Sequence, residues 1–343
     1  MHEDARPLRA GVIGCGFFAQ NHLNAWQEIP EVELAAVCDV ESERARKAAE
    51  RFGVAVWYDN AETMLKETEL DFVDVVTTPP SHPELVELAA KHRKPVICQK
   101  PIAFDRGDAE SMVAACKKAG VPLMIHENFR WQTPIRAVRR RIDEGTIGRP
   151  FFGRISWRTG YDIFTNQPYL LEQSRLILAD MGTHLIDLAR FFFGDPQALV
   201  CHALHIHPSV RGEDAATILL EYDNATCIVD TTYSGRAAED LFPQTLVHIE
   251  GEEGTLDLEP HYVLAVGRRG GTVEREQFSI PQYSWSTPLW DVVQDSVVNL
   301  QRHWVECLRT GKTPENNGEE NLLTVQLVEG AYISAETQTI YRS

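Results

Sequence analysis

Leu8-Arg9-Ala10-Gly11-Val12-Ile13-Gly14-Cys15-Gly16-Phe17-Phe18-Ala19 is the stretch on which the reading of the whole chain turns. A short apolar run ends in Gly-x-Gly-x-x-Ala, and a helical pattern opens immediately after it. In that context each small residue has a job. Gly14 permits a tight turn, Gly16 lets backbone approach a pyrophosphate, and Ala19 allows the helix to sit close to the strand. The free N–H groups and positive dipole end of that helix then face the phosphates, with Phe17 and Phe18 in the intervening loop.

Working outward, the next apolar run, Val32–Asp39, ends in a carboxylate twenty residues beyond Ala19. A carboxylate there accepts hydrogen bonds from an adenosine ribose and repels a 2′-phosphate, so NAD is expected, with NADP as the alternative. Arg44, one short loop further on, would soften that preference. Further apolar runs follow at Ala55–Tyr58, Phe72–Thr78, Val96–Gln99 and Leu123–His126. They are too continuous to be half-exposed, so they read as buried parallel strands. Helical patterns separate them. Ser81-His82-Pro83-Glu84 reads as a capping box. Asp105 reads as the cap of a helix with Ala109, Met112, Val113 and Cys116 inward and Gly120 at its end. Residues 1–126 are therefore expected to form a doubly wound Rossmann domain.

The pattern changes in residues 127–343. A helix with Ile135, Val138 and Ile142 inward carries Arg136, Arg139, Arg140 and Arg141, expected as a solvated face. Alternating segments follow at Phe151–Arg158, Leu199–Ile206, Ala215–Tyr222, Thr226–Tyr233 and Thr245–Glu250, with hairpin connections at 221–226 and 250–255. These predict an α+β domain built on a large open, mostly antiparallel sheet with one covered face. Helices are expected at about 176–193, 294–309 and 319–338. His205 and His207 would share a strand face, the spacing of a metal pair, but no third ligand falls in register and plain strand residues are preferred.

Composition excludes several functions. The chain has 343 residues, 43% of them hydrophobic, and a formal net charge of −17. Such a surface repels phosphate backbones, so nucleic-acid binding is not expected. No apolar run is long enough to span a membrane, and polar Met1–Arg9 lacks the apolar centre of a signal peptide. Seven cysteines without a Cys-x-x-Cys pair read as reduced thiols of a cytoplasmic protein.

Two segments carry chemistry. Lys100 follows Cys98-Gln99 at the carboxyl end of a buried strand, where open α/β sheets bind ligands; Pro101 after it makes a cis peptide a candidate. In Asp180-Met181-Gly182-Thr183-His184-Leu185-Ile186-Asp187, Asp180 and His184 lie at i and i+4, one face of a helix, and Asp187 follows three residues on. A histidine oriented by a carboxylate suits proton abstraction near neutral pH. A helix cap by Asp180, or a metal site, would use the same residues.

In this order, Gly-x-Gly-x-x-Ala, Lys-Pro and Asp-x-x-x-His, the chain resembles the Gfo/Idh/MocA oxidoreductases, the family of glucose–fructose oxidoreductase and inositol dehydrogenase. Thr78-Pro79-Pro80 and His82 resemble the family's loop after the fourth strand, and Asn128 and Arg130 the segment joining its domains. Gly251–Glu259 resembles a sheet hairpin and Gly311–Pro314 a C-terminal turn. The resemblance implies Lys100 as catalytic lysine, His184 as base and Asp180 as its partner acid. Gln99 departs from the usual glutamate, a change expected to tune Lys100 rather than abolish its role. The cofactor set is then Gly14, Gly16, Phe17, Phe18, Ala19, Asp39, Arg44, Thr78, Pro79, His82, Gln99, Lys100 and Asn128.

The implied activity is NAD(P)-dependent hydride transfer between nicotinamide and a hydroxyl carbon of a sugar, polyol or sugar acid. Lys100, His126, Asn128, Arg130, Trp157, Arg158, Tyr161, Arg175, Asp180, His184 and Asp187 are the candidate substrate contacts; hydrogen-bonding groups mixed with aromatics suit a polyhydroxylated ring. Arg158 or Arg175 would meet a carboxylate if the substrate is a sugar acid. The family's sheets pair, which implies a homodimer or homotetramer. The alternatives are an NAD-dependent glycosidase that oxidises its substrate transiently and an inactive nucleotide- or sugar-sensing regulator.

Overall fold

Every apolar run of the first third becomes a strand of one sheet: β1 (Leu8–Ile13), β2 (Val32–Cys38), β3 (Trp57–Tyr58), β4 (Phe72–Val75), β5 (Val96–Gln99) and β6 (Leu123–His126). In this computed structural model, which describes residues 6–343, they are all parallel, in the order β3-β2-β1-β4-β5-β6. The first five residues of the polar N-terminal stretch lie outside the described residues. Helices α1 (Ala19–Gln27), α2 (Ser42–Phe52), α3 (Ala61–Glu67), α4 (His82–Lys91) and α5 (Arg106–Ala119) make the crossovers. Val12, Val37, Val73, Val75 and Ile97 have no exposed surface, as strands covered on both faces require. The strand order reverses between β1 and β4, and the crevice beyond their carboxyl ends is where such sheets hold ligands.

Local signals mostly hold. The Asp105 carboxylate accepts from the Gly107 and Asp108 amides, and Gly120 ends α5 at φ +70°. The buried face of α5 is Ala109, Met112, Val113 and Cys116. The capping box at Ser81 does not form. Pro79–Ser81 is a 3-10 turn leading straight into α4, so Ser81 is already helical. Its hydroxyl donates to the Thr78 carbonyl at 2.9 Å instead, and its oxygen lies 2.7 Å from Thr77 Oγ1.

The chain divides into two compact units, one comprising residues up to Glu127 with Val297–Val325, the other Asn128–Ser296 with Gln326–Ser343. The second domain is therefore not contiguous in sequence. The reason is visible at β6, an edge strand. The Ile125 amide donates to the Asn316 carbonyl at 2.8 Å, and Met124 bridges to Asn317, so the returning segment covers an edge that would otherwise be open.

In the second unit, α6 (Thr133–Asp143), β7 (Pro150–Arg158), α7 (Thr183–Phe193), β8 (Ala198–Leu204), β9 (Ala215–Glu221), β10 (Thr226–Thr232), β11 (Leu246–Gly251), β12 (Gly254–Glu259), β13 (Val263–Arg268) and β14 (Val273–Gln277) follow in order. Helices α8 (Asp291–Thr310) and α9 (Gly318–Thr337) and the short β15 (Tyr341–Arg342) close the chain. The nine strands run β14-β13-β12-β11-β7-β10-β9-β8-β15, antiparallel except for the parallel β7–β10 pair. Alternation places Ile155 and Trp157 on the covered face beneath α7, and Arg154 and Arg158 on the open one.

Two expectations fail here. The arginines of α6 are not simply solvated. The Arg136 and Arg139 guanidinium groups sit 5.4 Å from the Phe191 ring centre, and Arg136 is 4.6 Å from that of Trp131. A planar cation stacks on an aromatic face where it would otherwise be fully hydrated. His205 and His207 do not share a strand, because β8 ends at Leu204; His205 Nε2 instead meets the His207 carbonyl at 2.9 Å.

Candidate active site

In the first unit, the glycine-rich loop has the shape its residues require. Gly14 has φ +103°, and a Cβ there would lie 2.5 Å from the Val76 carbonyl oxygen. A Cβ on Gly16 would meet no atom within 4 Å. Gly16 thus opens on free space, the cradle a pyrophosphate needs. The α1 N-terminus has no side-chain cap; the Asn21 amide donates to the Phe18 carbonyl at 2.9 Å, and the positive dipole end of the helix faces the loop where an anion would lie. Asp39 is 8% exposed and braces the loop. Its Oδ2 accepts from the Cys15 amide at 2.8 Å and its Oδ1 from the Glu41 amide at 2.9 Å. Each oxygen keeps a lone pair for a ribose hydroxyl. Phe17 and Arg44 are exposed, and the Phe18 ring meets His22 edge-on at 5.6 Å. These features fit a bound dinucleotide.

Beyond β4, Thr78 and Pro79 begin the 3-10 turn, and His82 is fully buried. The His82 ring lies between carbonyls, with Nδ1 3.1 Å from both Pro101 O and Ile102 O and Nε2 3.2 Å from Thr77 O. Burial holds its pKa below the ordinary value, outweighing those carbonyls. It therefore clamps the loop after β4 to the segment that follows Lys100. The Lys100–Pro101 peptide is cis.

A polar chain in the core of this unit escaped the sequence reading. Asp74, in the middle of β4, has no exposed surface. Its Oδ2 accepts from Trp26 Nε1 at 2.8 Å and lies 2.8 Å from His22 Nδ1. His22 Nε2 lies 3.2 Å from Gln99 Nε2, and Gln99 Oε1 accepts from the Lys100 amide at 2.6 Å. The His126 ring, also fully buried, is 4.0 Å from that of His22. The signal was present: a carboxylate inside Phe72-Val73-Asp74-Val75-Val76, and His22 and Trp26 at i and i+4 on α1.

In the second unit, Asp180 and His184 do not sit on an ordinary helix. Leu178–Gly182 forms a π-helical turn ahead of α7. A widened turn frees backbone amides, and these are collected from outside. Glu213 Oε1 accepts from Leu176 N at 3.0 Å and Leu178 N at 3.1 Å, while Ala179 N donates to the Tyr332 hydroxyl at 3.1 Å. Such turns recur at functional sites. Asp180 Oδ2 accepts a short hydrogen bond from the Tyr233 hydroxyl. Burial, with the Asp180 charge beside it, raises the Tyr233 pKa well above 10, so this hydroxyl stays a donor. His184 is 3% exposed, its ring stacked on Phe129 at 3.9 Å between centres. Among the described residues no cluster of three metal-ligating side chains occurs.

The remaining candidates are placed as follows. Asp187 is buried in a two-pronged pair with Arg130, its Oδ2 accepting from Arg130 Nε at 2.8 Å and its Oδ1 from Nη2. Asn128 donates to Ser296 Oγ at 2.7 Å. Trp157 is a core residue whose indole donates to the Pro243 carbonyl, and Tyr161 stacks on Phe242 at 4.2 Å. Arg158 pairs with Asp230 on the open sheet face, and Arg175 lies over the Tyr332 ring.

Against known proteins, residues 8–127 match the family model described as "Oxidoreductase family, NAD-binding Rossmann fold", and residues 135–257 that of the GFO/IDH/MocA C-terminal domain. The chain is 49% identical to the D-apiose dehydrogenase of Paraburkholderia graminis, over 96% of this chain and 88% of that protein. It is 44% identical to the D-apiose dehydrogenase of Rhizobium rhizogenes, over 96% and 95%. A crystal structure of an oxidoreductase from Agrobacterium radiobacter, in complex with NAD+, L-tartaric acid and magnesium, superposes with a TM-score of 0.96 at 42% identity, covering 98% of each chain.

Proposed function

Because this chain belongs to the Gfo/Idh/MocA oxidoreductases, we propose that it oxidises a hydroxyl-bearing carbon of a small sugar with NAD as cofactor, and that a branched pentose of the apiose kind is its substrate. The observation that carries this reading is the 49% identity to a D-apiose dehydrogenase over 96% of the chain, which spans both units. Neither the transient-oxidation glycosidase nor the inactive regulator has comparable support.

The loop from Gly14 to Ala19 and the α1 N-terminus hold the dinucleotide phosphates, and Asp39 accepts from the ribose hydroxyls. When bound, NAD supplies the hydride acceptor at its nicotinamide C4. His184 takes the proton of the substrate hydroxyl; Phe129, stacked on its ring, fixes the plane in which that proton is accepted. Lys100 donates a hydrogen bond to the same oxygen and stabilises the negative charge that develops on it. Asp180, held by Tyr233, supports positive charge at this centre.

No helix of the described residues is long and apolar enough to cross a membrane, and we place the enzyme in the cytoplasm. Its open sheet face exposes Val200, Leu204 and Leu219, each more than 40% accessible, which favours pairing into a homodimer or homotetramer. The test of the activity is absorbance of reduced cofactor with D-apiose and a panel of sugars, polyols and sugar acids, using NAD and NADP. The expected result is NADH formation, fastest with D-apiose. Absence of reduced cofactor across the panel would remove the proposal.

A further inference from the structure

The core chain Asp74–His22–Gln99 ends on the backbone of Lys100, and its hydrogen atoms can be assigned by elimination. A backbone amide only donates, so the Gln99 atom 2.6 Å from Lys100 N must be the carbonyl oxygen Oε1. The amide nitrogen of Gln99 therefore faces His22 Nε2, at 3.2 Å. An amide nitrogen also only donates, so Nε2 of His22 must be an unprotonated acceptor. The single proton of the neutral ring then sits on Nδ1, pointing at Asp74 Oδ2, 2.8 Å away. Trp26, a donor only, completes that oxygen at 2.8 Å. Each polar contact of the chain is satisfied in one direction only.

We propose that His22, locked in its Nδ1–H tautomer by Asp74, is a positioning residue for the reaction. It receives the Gln99 amide, and the amide oxygen fixes the peptide from which Lys100 projects. This inference rests on Lys100 being the cation proposed above. It also accounts for glutamine in place of the family's usual glutamate. A carboxylate at 99 has no hydrogen to give, so His22 would need a second proton on Nε2, or the carboxyl itself would need one. A second proton would make a buried cation of a ring that packs 4.0 Å from His126. The charged or titratable groups facing His22 are Asp74 from β4 and His126 from β6; Phe18, Trp26 and Gln99 are neutral, as is Gln301 of α8, whose amide nitrogen lies 3.4 Å from the His22 carbonyl. Asp74 Oδ1 is buried with no hydrogen-bond partner among the described residues. A carboxylate buried in a core strand calls for an explanation, and the His22 proton on its other oxygen supplies one.

The test uses the full-length enzyme with NAD bound and its histidines labelled with nitrogen-15, the His22 signals being identified by their loss in His22→Gln. The expected spectrum shows His22 protonated on Nδ1 and not on Nε2. In Gln99→Glu the Nε2 signal moves toward the protonated position. Gln99→Leu and His22→Gln are each expected to lower kcat about tenfold or more, the scale of a misplaced reacting group; His22→Gln, at a position outside the cofactor set, leaves NADH affinity unchanged. Their combination should do no more than the larger single effect, as residues acting in one unit do. A wild-type His22 carrying its proton on Nε2 overturns the proposal, as does an unchanged kcat in Gln99→Leu or additive losses in the pair. If Lys100→Ala keeps full turnover, the functional reading fails instead, and the imidazole spectrum is still decided on its own.

Discussion

Replacing Asp187 by alanine should destabilise the second unit by about 3–5 kcal/mol, the range for breaking a buried ion pair from one side. Asp187 has no exposed surface and Arg130 only 4%. The pair holds two near-parallel contacts, Nε to Oδ2 at 2.8 Å and the shorter Nη2 to Oδ1. Charge-assisted bonds of this kind contribute roughly 1.5–3 kcal/mol each, so two of them give a sum in the same range. The Phe191 ring, 5.1 Å from the guanidinium carbon, covers a face of the cation. Asp187→Asn keeps one acceptor and should lose roughly half as much. Arg130→Met with Asp187→Leu should recover most of the loss, because no buried charge is then left alone. Urea unfolding, with the slope checked for constancy, reads all four proteins. If Asp187→Ala loses less than about 1 kcal/mol, the pair behaves like a surface contact and the reasoning is refuted. If Asp187→Asn leaves stability intact but raises KM for the sugar, the carboxylate belongs to the substrate instead.

Two further outcomes are expected. Asp39→Ser removes the charge that repels a 2′-phosphate, while the loop amide at Cys15 keeps a polar neighbour. The ratio of kcat/KM for NADP over NAD should rise by roughly tenfold or more, since like-charge contacts cost several kcal/mol; an unchanged ratio would place the selectivity elsewhere. His248 has its pKa raised above 6.5: burial pulls it down, but Asp257 at 2.5 Å and Glu250 at 3.3 Å push it up further. Its stabilising effect is complete below the unfolded value of 6.5 and lost as pH rises through the higher folded value. The difference in unfolding free energy between wild type and His248→Gln, read by urea unfolding, should therefore shrink as pH climbs above neutrality, from no more than about 1 kcal/mol for so exposed a pair. A constant difference would refute the assignment.

The Rossmann unit was legible because buried parallel strands write continuous apolar runs, and Gly14, Gly16, Ala19 and Asp39 need fixed spacing. The capping box at Ser81 misled because Pro79-Pro80 already starts a helical turn upstream. The i, i+4 spacing of Asp180 and His184 was legible, but the π-helical turn that carries Asp180 ahead of α7 was not. That geometry depends on Glu213 and Tyr332, which are distant in sequence and approach only once the sheet has folded. Phe129 was overlooked between Asn128 and Arg130, since an aromatic in a short loop carries no periodicity. Arg130 and Asp187 were each read as substrate contacts, though they meet one another, and no local pattern announces a pairing across 57 residues. The chain of His22, Asp74 and Gln99 spans three elements for the same reason, marked locally by the carboxylate inside β4 and by the spacing of His22 and Trp26 on α1.

The proposed mechanism has Lys100 and His184 each acting on the substrate hydroxyl oxygen. Single-turnover NADH formation from D-apiose, in Lys100→Ala and His184→Ala alongside wild type, tests it most directly. The account predicts that each variant still binds NADH but forms it about 10²–10⁴-fold more slowly. Wild-type rates in both variants would contradict it.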